Sequence, residues 1–186
     1  MIACAQQYTN DTFIVPLDTM PLYKADSSKI PPDPPPPRPE RAYYFPSNFI
    51  IDSTGKVFFY QKQVIWSIDG NNTDWNTPPE FINLRPKDIL QIPDNSIEEF
   101  IKLNVLNIDS AKRYVAIAAA KDTIKSLGLS KIIAICKDKE NHLRWKFRII
   151  TQEEGIVLEY KKRQEPYYPD EIKWDSTKIR MPMLKK

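Results

Sequence analysis

The chain has 186 residues, a net charge of +3, 41% hydrophobic and 27% charged residues. That length suits one domain with tails, or two small ones, and the charge excess is too small to point to nucleic acid. No stretch approaches about 18 consecutive apolar residues, which argues against a transmembrane helix. The two cysteines, Cys4 and Cys136, form no CxxC motif, no metal-ligand spacing and no disulfide framework.

Taken in chain order, the first feature is Met-Ile-Ala-Cys4, followed by the polar Gln6, Gln7, Thr9, Asn10 and Asp11. This run resembles the end of a bacterial lipoprotein signal peptide. The resemblance implies cleavage before Cys4 and a lipid on its thiol. It would place the protein on a bacterial envelope membrane, facing the periplasm. The basic and long apolar segments that precede such a junction are not in this sequence. Either the start has been trimmed or misassigned, or the match is chance, and the alternative is a plain cytosolic N-terminus with an incidental Cys4.

Residues 5–45 read as a tether, and residues 1–43 are assigned to it as a unit. The chain has 17 prolines against 4 glycines, and the densest run is Ile30-Pro-Pro-Asp-Pro-Pro-Pro-Pro-Arg-Pro-Glu40. Consecutive prolines fix φ and remove backbone donors, so helix and sheet are both disfavoured. The expected state is polyproline II, extended at about 3.1 Å per residue. A stiff spacer between a lipid and a domain is the favoured reading. A ligand for an SH3-like or WW-like domain is the alternative.

A domain is expected over residues 44–160. Asn48 to Tyr60 holds two β-rich runs around Ser53-Thr54-Gly55, a hairpin pattern that Gln63–Ile68 could extend. Asp69-Gly-Asn-Asn-Thr-Asp74 has oxygens in the manner of a calcium loop. Its glycine falls at the wrong position of an EF-hand frame, so a polar turn is preferred. Ser96-Ile-Glu-Glu99 reads as a capping box, opening a helix with Ile97, Phe100, Ile101 and Val105 on one face.

Arg113–Ala120 reads as a central covered strand. Asp122 and Gly128 bracket a short helix as N-cap and C-terminal glycine. Residues 131–136 read as a second buried strand, with the Cys136 thiol a small core group. Residues 142–150 alternate, with Trp145, Phe147 and Ile149 on one side and Arg144, Lys146 and Arg148 on the other. That pattern predicts an antiparallel strand with one solvated face. Residues 155–160 read as a further strand, and residues 161–186 as a loose basic and aromatic tail.

Signals of catalysis are sparse. The single histidine, His142, sits beside an expected turn with no GxSxG run to hold a nucleophile. No zinc spacing and no phosphate-cradling glycine loop occur. Glu98-Glu99 and Glu153-Glu154 are adjacent pairs, and neighbours on a helix or strand point apart, so neither makes a glycosidase dyad alone. Three cations on one strand face repel one another, which makes Arg144, Lys146 and Arg148 the candidate binding residues for an anionic partner. Screening by Glu153 or Glu159 is the plainer reading. Trp145 and Phe147 point away from that face, which disfavours RNA.

The expected fold is a small α+β domain. It has a mainly antiparallel or mixed sheet and one or two helices, one face covered by the helix after Ser96, and a proline-rich extended arm in front. The expected function is a non-enzymatic envelope lipoprotein anchored through Cys4, whose domain binds a protein partner. That partner would be an envelope assembly component or, for an immunity-type protein, a toxin. No cofactor, metal or small-molecule substrate is implied. The rivals are a soluble adaptor presenting its proline run, an enzyme with dispersed acidic residues, and a nucleic-acid binder using the basic strand of Arg144, Lys146 and Arg148.

Overall fold

A computed structural model describes residues 43–63, 78–121 and 123–181, together with the backbone of Thr12–Ile14. Cys4, the proline run and the Asp69–Asp74 loop lie outside the described residues. The elements are β1 (Thr12–Ile14), β2 (Ser47–Ile51), β3 (Val57–Gln61), β4 (Leu90–Ile92), α1 (Ile97–Ile101), β5 (Tyr114–Ala119), β6 (Thr123–Lys125), α2 (Leu127–Lys137), β7 (Arg144–Ile149) and α3 (Gln152–Arg163). The fold is α+β, with a five-stranded mixed sheet in the order β4-β3-β2-β5-β7. No helix among the described residues is long and apolar enough to cross a membrane.

The hairpin expected around Gly55 is β2 and β3, paired antiparallel from Ser47↔Gln61 to Ile51↔Val57. Its turn is organised by Asp52, whose Oδ1 accepts from Thr54 N at 2.8 Å, Thr54 Oγ1 at 2.7 Å and Lys56 N at 3.0 Å. Gly55 has φ +85°, and a Cβ there would stand 2.4 Å from the Lys125 carbonyl oxygen. The central strand is β5, buried at every position. It pairs parallel with β2 on one side and parallel with β7 on the other.

That last pairing corrects the antiparallel expectation for β7. Residues 131–136 are not a strand but the body of α2. Leu129, Ile132, Ile133 and Cys136 are buried at helical spacing, so the segment lays one apolar stripe on the sheet. A helix between β5 and β7 acts as a crossover, and a crossover returns the chain parallel. Asp122 and Gly128 do not bracket a helix either. Residues 123–125 form β6, paired with β1 from Thr12↔Lys125 to Ile14↔Thr123, so β1 falls inside the stretch expected to be a bare tether. The N-cap of α2 is Ser126, which accepts from Leu129 N at 3.1 Å and donates to the Gly55 carbonyl at 2.6 Å. Gly128 lies in the first turn of α2, pressed against the hairpin.

Residues 155–160 are likewise helical, in α3. The sequence Thr151-Gln-Glu-Glu154 is a capping box, with Thr151 Oγ1 accepting from Glu154 N at 3.2 Å and Glu154 accepting from Thr151 N at 2.8 Å. The box expected at Ser96 is not made. The helix starts there, but Ser96 itself has helical backbone angles and caps nothing with its side chain. The chain then passes through a π-helical turn over Lys102–Leu106.

Both faces of the sheet are covered, not one. Phe49, Phe59, Val115 and Ile117 pack with α1 and α2. Ile50, Phe58, Tyr60 and Ala118 pack with Val157 and Leu158 of α3. The segment after α3 packs too. Ile179 is fully buried, Trp174 sits edge-on to Phe81 at 5.0 Å, and Arg180 N donates to the Pro79 carbonyl at 2.8 Å.

Two glycines in helices should respond oppositely to a methyl group. At Gly128 a Cβ would meet Val57 Cγ2 at 2.5 Å, Asp94 Oδ1 at 2.7 Å and Ile97 Cδ1 at 2.8 Å. At Gly155 the closest atom is Ile150 Cδ1 at 4.0 Å. Gly128→Ala should cost about 1–3 kcal/mol through overpacking. Gly155→Ala should be neutral or add up to about 1 kcal/mol. Urea unfolding of the two variants measures the contrast.

Candidate binding face on the edge strand

The three cations of β7 share one face of the strand, as their alternation requires. Their environments differ. Arg144 is exposed, Lys146 half-buried and Arg148 buried. The expectation of one solvated face therefore fails at Arg148. The opposite side chains, Trp145 and Phe147, pack against the α1–α2 core as an edge-to-face pair at 5.5 Å.

Each cation lies over an aromatic ring supplied by another segment. Arg144 stands 5.0 Å from the Tyr114 ring centre and donates to the Tyr114 hydroxyl. Lys146 is 4.7 Å from Phe45, and Arg148 is 5.4 Å from Tyr44. Lys62 approaches Tyr44 from β3's end at 4.6 Å. Aromatic rings thus do occupy the cationic face, contrary to the reading from β7 alone. Tyr44, Phe45 and Tyr114 are all buried, so they support the cations rather than offer a stacking platform for bases.

Arg148 is 3% exposed and Glu154 is 0% exposed. Two parallel bonds join them, from Nη1 to Oε2 at 2.6 Å and from Nη2 to Oε1 at 2.5 Å. Tyr60 Oη donates to Glu154 Oε1 at 2.5 Å, and Thr151 N to Oε2 at 2.8 Å. Burial works to raise the Glu154 carboxyl, but Arg148, Tyr60 and Thr151 override it and hold it below the ordinary carboxylate range. Burial, with the Glu154 charge beside it, pushes the Tyr60 phenol well above its ordinary value. The pair is a closed fork-to-fork ion pair, with its carboxylate fully used.

The neighbouring Glu153 is buried by a different set of contacts. Its oxygens accept from Ile82 N at 2.8 Å and Leu84 N at 2.6 Å, pinning the segment before β4. Burial raises this carboxyl above its ordinary value, against those two bonds. Glu153 and Glu154 thus hold structure on separate sides and share no reacting centre. Glu159 pairs with Lys162 at 3.5 Å.

The other candidates lie apart. His142 is exposed at the end of a short 3-10 turn, with φ +48°. Cys136 is a buried thiol pushed up to about 12 by that burial, in a helix rather than the expected strand. Among the described residues, no three His, Cys, Asp or Glu side chains converge to hold a metal ion. An open cleft of about 540 Å³ sits at the C-terminal end of β7, lined by Tyr43, Pro79, Ile149, Gln152, Gly155 and Lys178 among others.

No family model, no curated protein and no solved structure matches the chain.

Removing one partner of the buried pair should be severe. Arg148→Met strands the Glu154 carboxylate and should cost about 3–5 kcal/mol by denaturant unfolding. Adding Glu154→Leu to that variant should recover most of the loss. The pH dependence has a definite sign. Because the folded-state Glu154 value is depressed, its contribution is present above the unfolded carboxylate range and is lost as pH falls through the folded value. Glu154→Gln should therefore give a shallower fall of stability below about pH 4.3 than the parent. Asp52 keeps part of the slope, because bonds from Thr54, Lys56 and Lys162 outweigh its burial and hold it low as well.

Proposed function

We propose that this protein is a non-enzymatic lipoprotein of the bacterial envelope, anchored through Cys4, whose domain binds a protein partner. An envelope assembly component and a toxin neutralised by an immunity-type protein both fit as that partner. The observation that carries the binding role is the contrast between interior and edge. Inside, the Glu154 carboxylate is fully engaged, accepting from Arg148, Tyr60 and Thr151 together, and Glu153 accepts from the Ile82 and Leu84 main chain. A carboxylate so held stays ionised and is a poor general acid near neutral pH. At the edge, β7 is the last strand of the sheet among the described residues and leaves Ile149 43% exposed beside half-buried Trp145 and Phe147. Apolar and aromatic groups at a strand edge suit recognition of another chain.

Support for the anchor is the sequence around Cys4 alone. Intact-mass measurement on separated membrane and soluble fractions of the native cells tests it. The expected species is membrane-bound, begins at Cys4 and is heavier by a diacylglycerol and an acyl chain. A soluble species that keeps Met1 at unmodified mass would overturn the anchor and favour the adaptor that presents its proline run. For the binding role, a photo-reactive residue at position 149 should capture a protein partner in intact cells. Recovery of uncross-linked monomer alone would count against it.

A further inference from the structure

We propose that β7 is a strand-addition site, and that its occupant is an extended segment of a partner protein in which acidic and apolar residues alternate. The inference rests on the protein-binding reading above and names the chemistry of the partner.

The backbone supplies the first part of the argument. Arg144 N donates to the Arg113 carbonyl at 2.9 Å, and Ile150 N to the Ala119 carbonyl at 3.0 Å. In a parallel pair these alternate positions bond inward, so residues 144, 146 and 148 turn their main chain towards β5. Trp145, Phe147 and Ile149 then turn theirs away from the sheet. Arg148 Nη1 covers the Ile149 carbonyl at 3.2 Å. No main-chain group of another described residue reaches the outward groups of Trp145 or Phe147.

Sheet edges are commonly blunted by short strands, prolines or bulges. The opposite edge is blunted in this way, since β4 has three residues and Pro93 follows it. β7 has six residues, contains no proline or glycine, and keeps unbroken register from Tyr114↔Arg144 to Ala119↔Ile149. It is therefore a template for an added strand of about five or six residues.

Side chains choose among the strands that could add. One face of the edge carries Trp145, Phe147 and the exposed Ile149, which suit apolar residues of an incoming strand. The other face carries Arg144, Lys146 and Arg148. A second copy of this chain paired through β7 would bring another exposed arginine to the face that carries Arg144, and like charges across a strand pair are destabilising, whereas Arg148 is already neutralised by Glu154. A strand with carboxylates on that face meets the exposed Arg144 with the opposite sign. Charge thus selects an acidic partner over self-association.

The test uses the full-length protein and an eight-residue peptide alternating glutamate with valine, with amide hydrogen exchange as the readout. The expected result is binding that slows exchange at Trp145, Phe147 and Ile149. It should weaken at least tenfold when the peptide is N-methylated at alternate residues on its pairing edge. It should weaken at least tenfold again when lysine replaces glutamate. Arg144→Glu with Lys146→Glu should reverse that preference, and neither substitution touches the buried pair. Equal binding of the glutamate and lysine peptides would overturn the charge selection. Amides at Trp145 and Phe147 already protected in the free protein would mean that the edge is occupied by the chain itself or by a second copy, and would overturn the site. A native partner captured by cross-linking while these amides still exchange freely would also overturn it, and would leave the protein-binding reading standing.

Discussion

A guanidinium and a carboxylate almost without access to water lie between the edge strand and the last helix, and much of the domain is arranged around them. Burying two charges is expensive, and the cost is offset only when their geometry and remaining hydrogen bonds are complete. The Glu154 side meets that condition with donors from Arg148, Tyr60 and the Thr151 main chain, while the Arg148 Nε is buried without a hydrogen-bond partner among the described residues. The same contacts hold β7 to α3, fix where α3 begins, and reach across the sheet to β3. Tyr44 closes the arrangement from above the Arg148 side chain. The edge strand is thus held from beneath, by a pair that fails if either member is lost.

The same constraint separates three residues that look alike in the sequence. Arg144, Lys146 and Arg148 alternate identically, yet Arg148 is the one that forms an ion pair with the buried Glu154. It lies at the end of the strand that turns into α3, so the helix delivers Glu154 against it. Arg144 and Lys146 lie further back, over Tyr114 and Phe45, at increasing distance from that helix. Arg144 is accordingly exposed and Lys146 half-buried, while Arg148 is internal.

Much of the fold can be read from the residues. The hairpin around Gly55 and the covered strand at β5 follow from β-branched and aromatic runs and from turn chemistry. Two helices were also legible, although apolar runs within them suggest strands. Leu129, Ile132, Ile133 and Cys136 recur at helical spacing, and that period outweighs the local run Ile132-Ile133-Ala134-Ile135. Thr151 and Glu154 spell a capping box that marks the start of α3. The candidate site was legible only in part. Alternation places the three cations on one face, but the rings beneath them come from residues 44, 45 and 114. Tyr60 lies 94 positions from Glu154. Contacts at such separations depend on sheet order, and sheet order depended on recognising α2 as a crossover.

The short pairing of β1 with β6 has a consequence for reach. Without it, the polyproline arm would be the leash, and forty residues at about 3.1 Å each would let the domain roam roughly 120 Å from an acyl anchor. With Thr12–Ile14 docked on β6, the leash from Cys4 is the eight steps to Thr12, at most about 28 Å when fully extended. A lipid on Cys4 would hold the domain close against the bilayer, within reach of membrane-embedded partners rather than of distant ones.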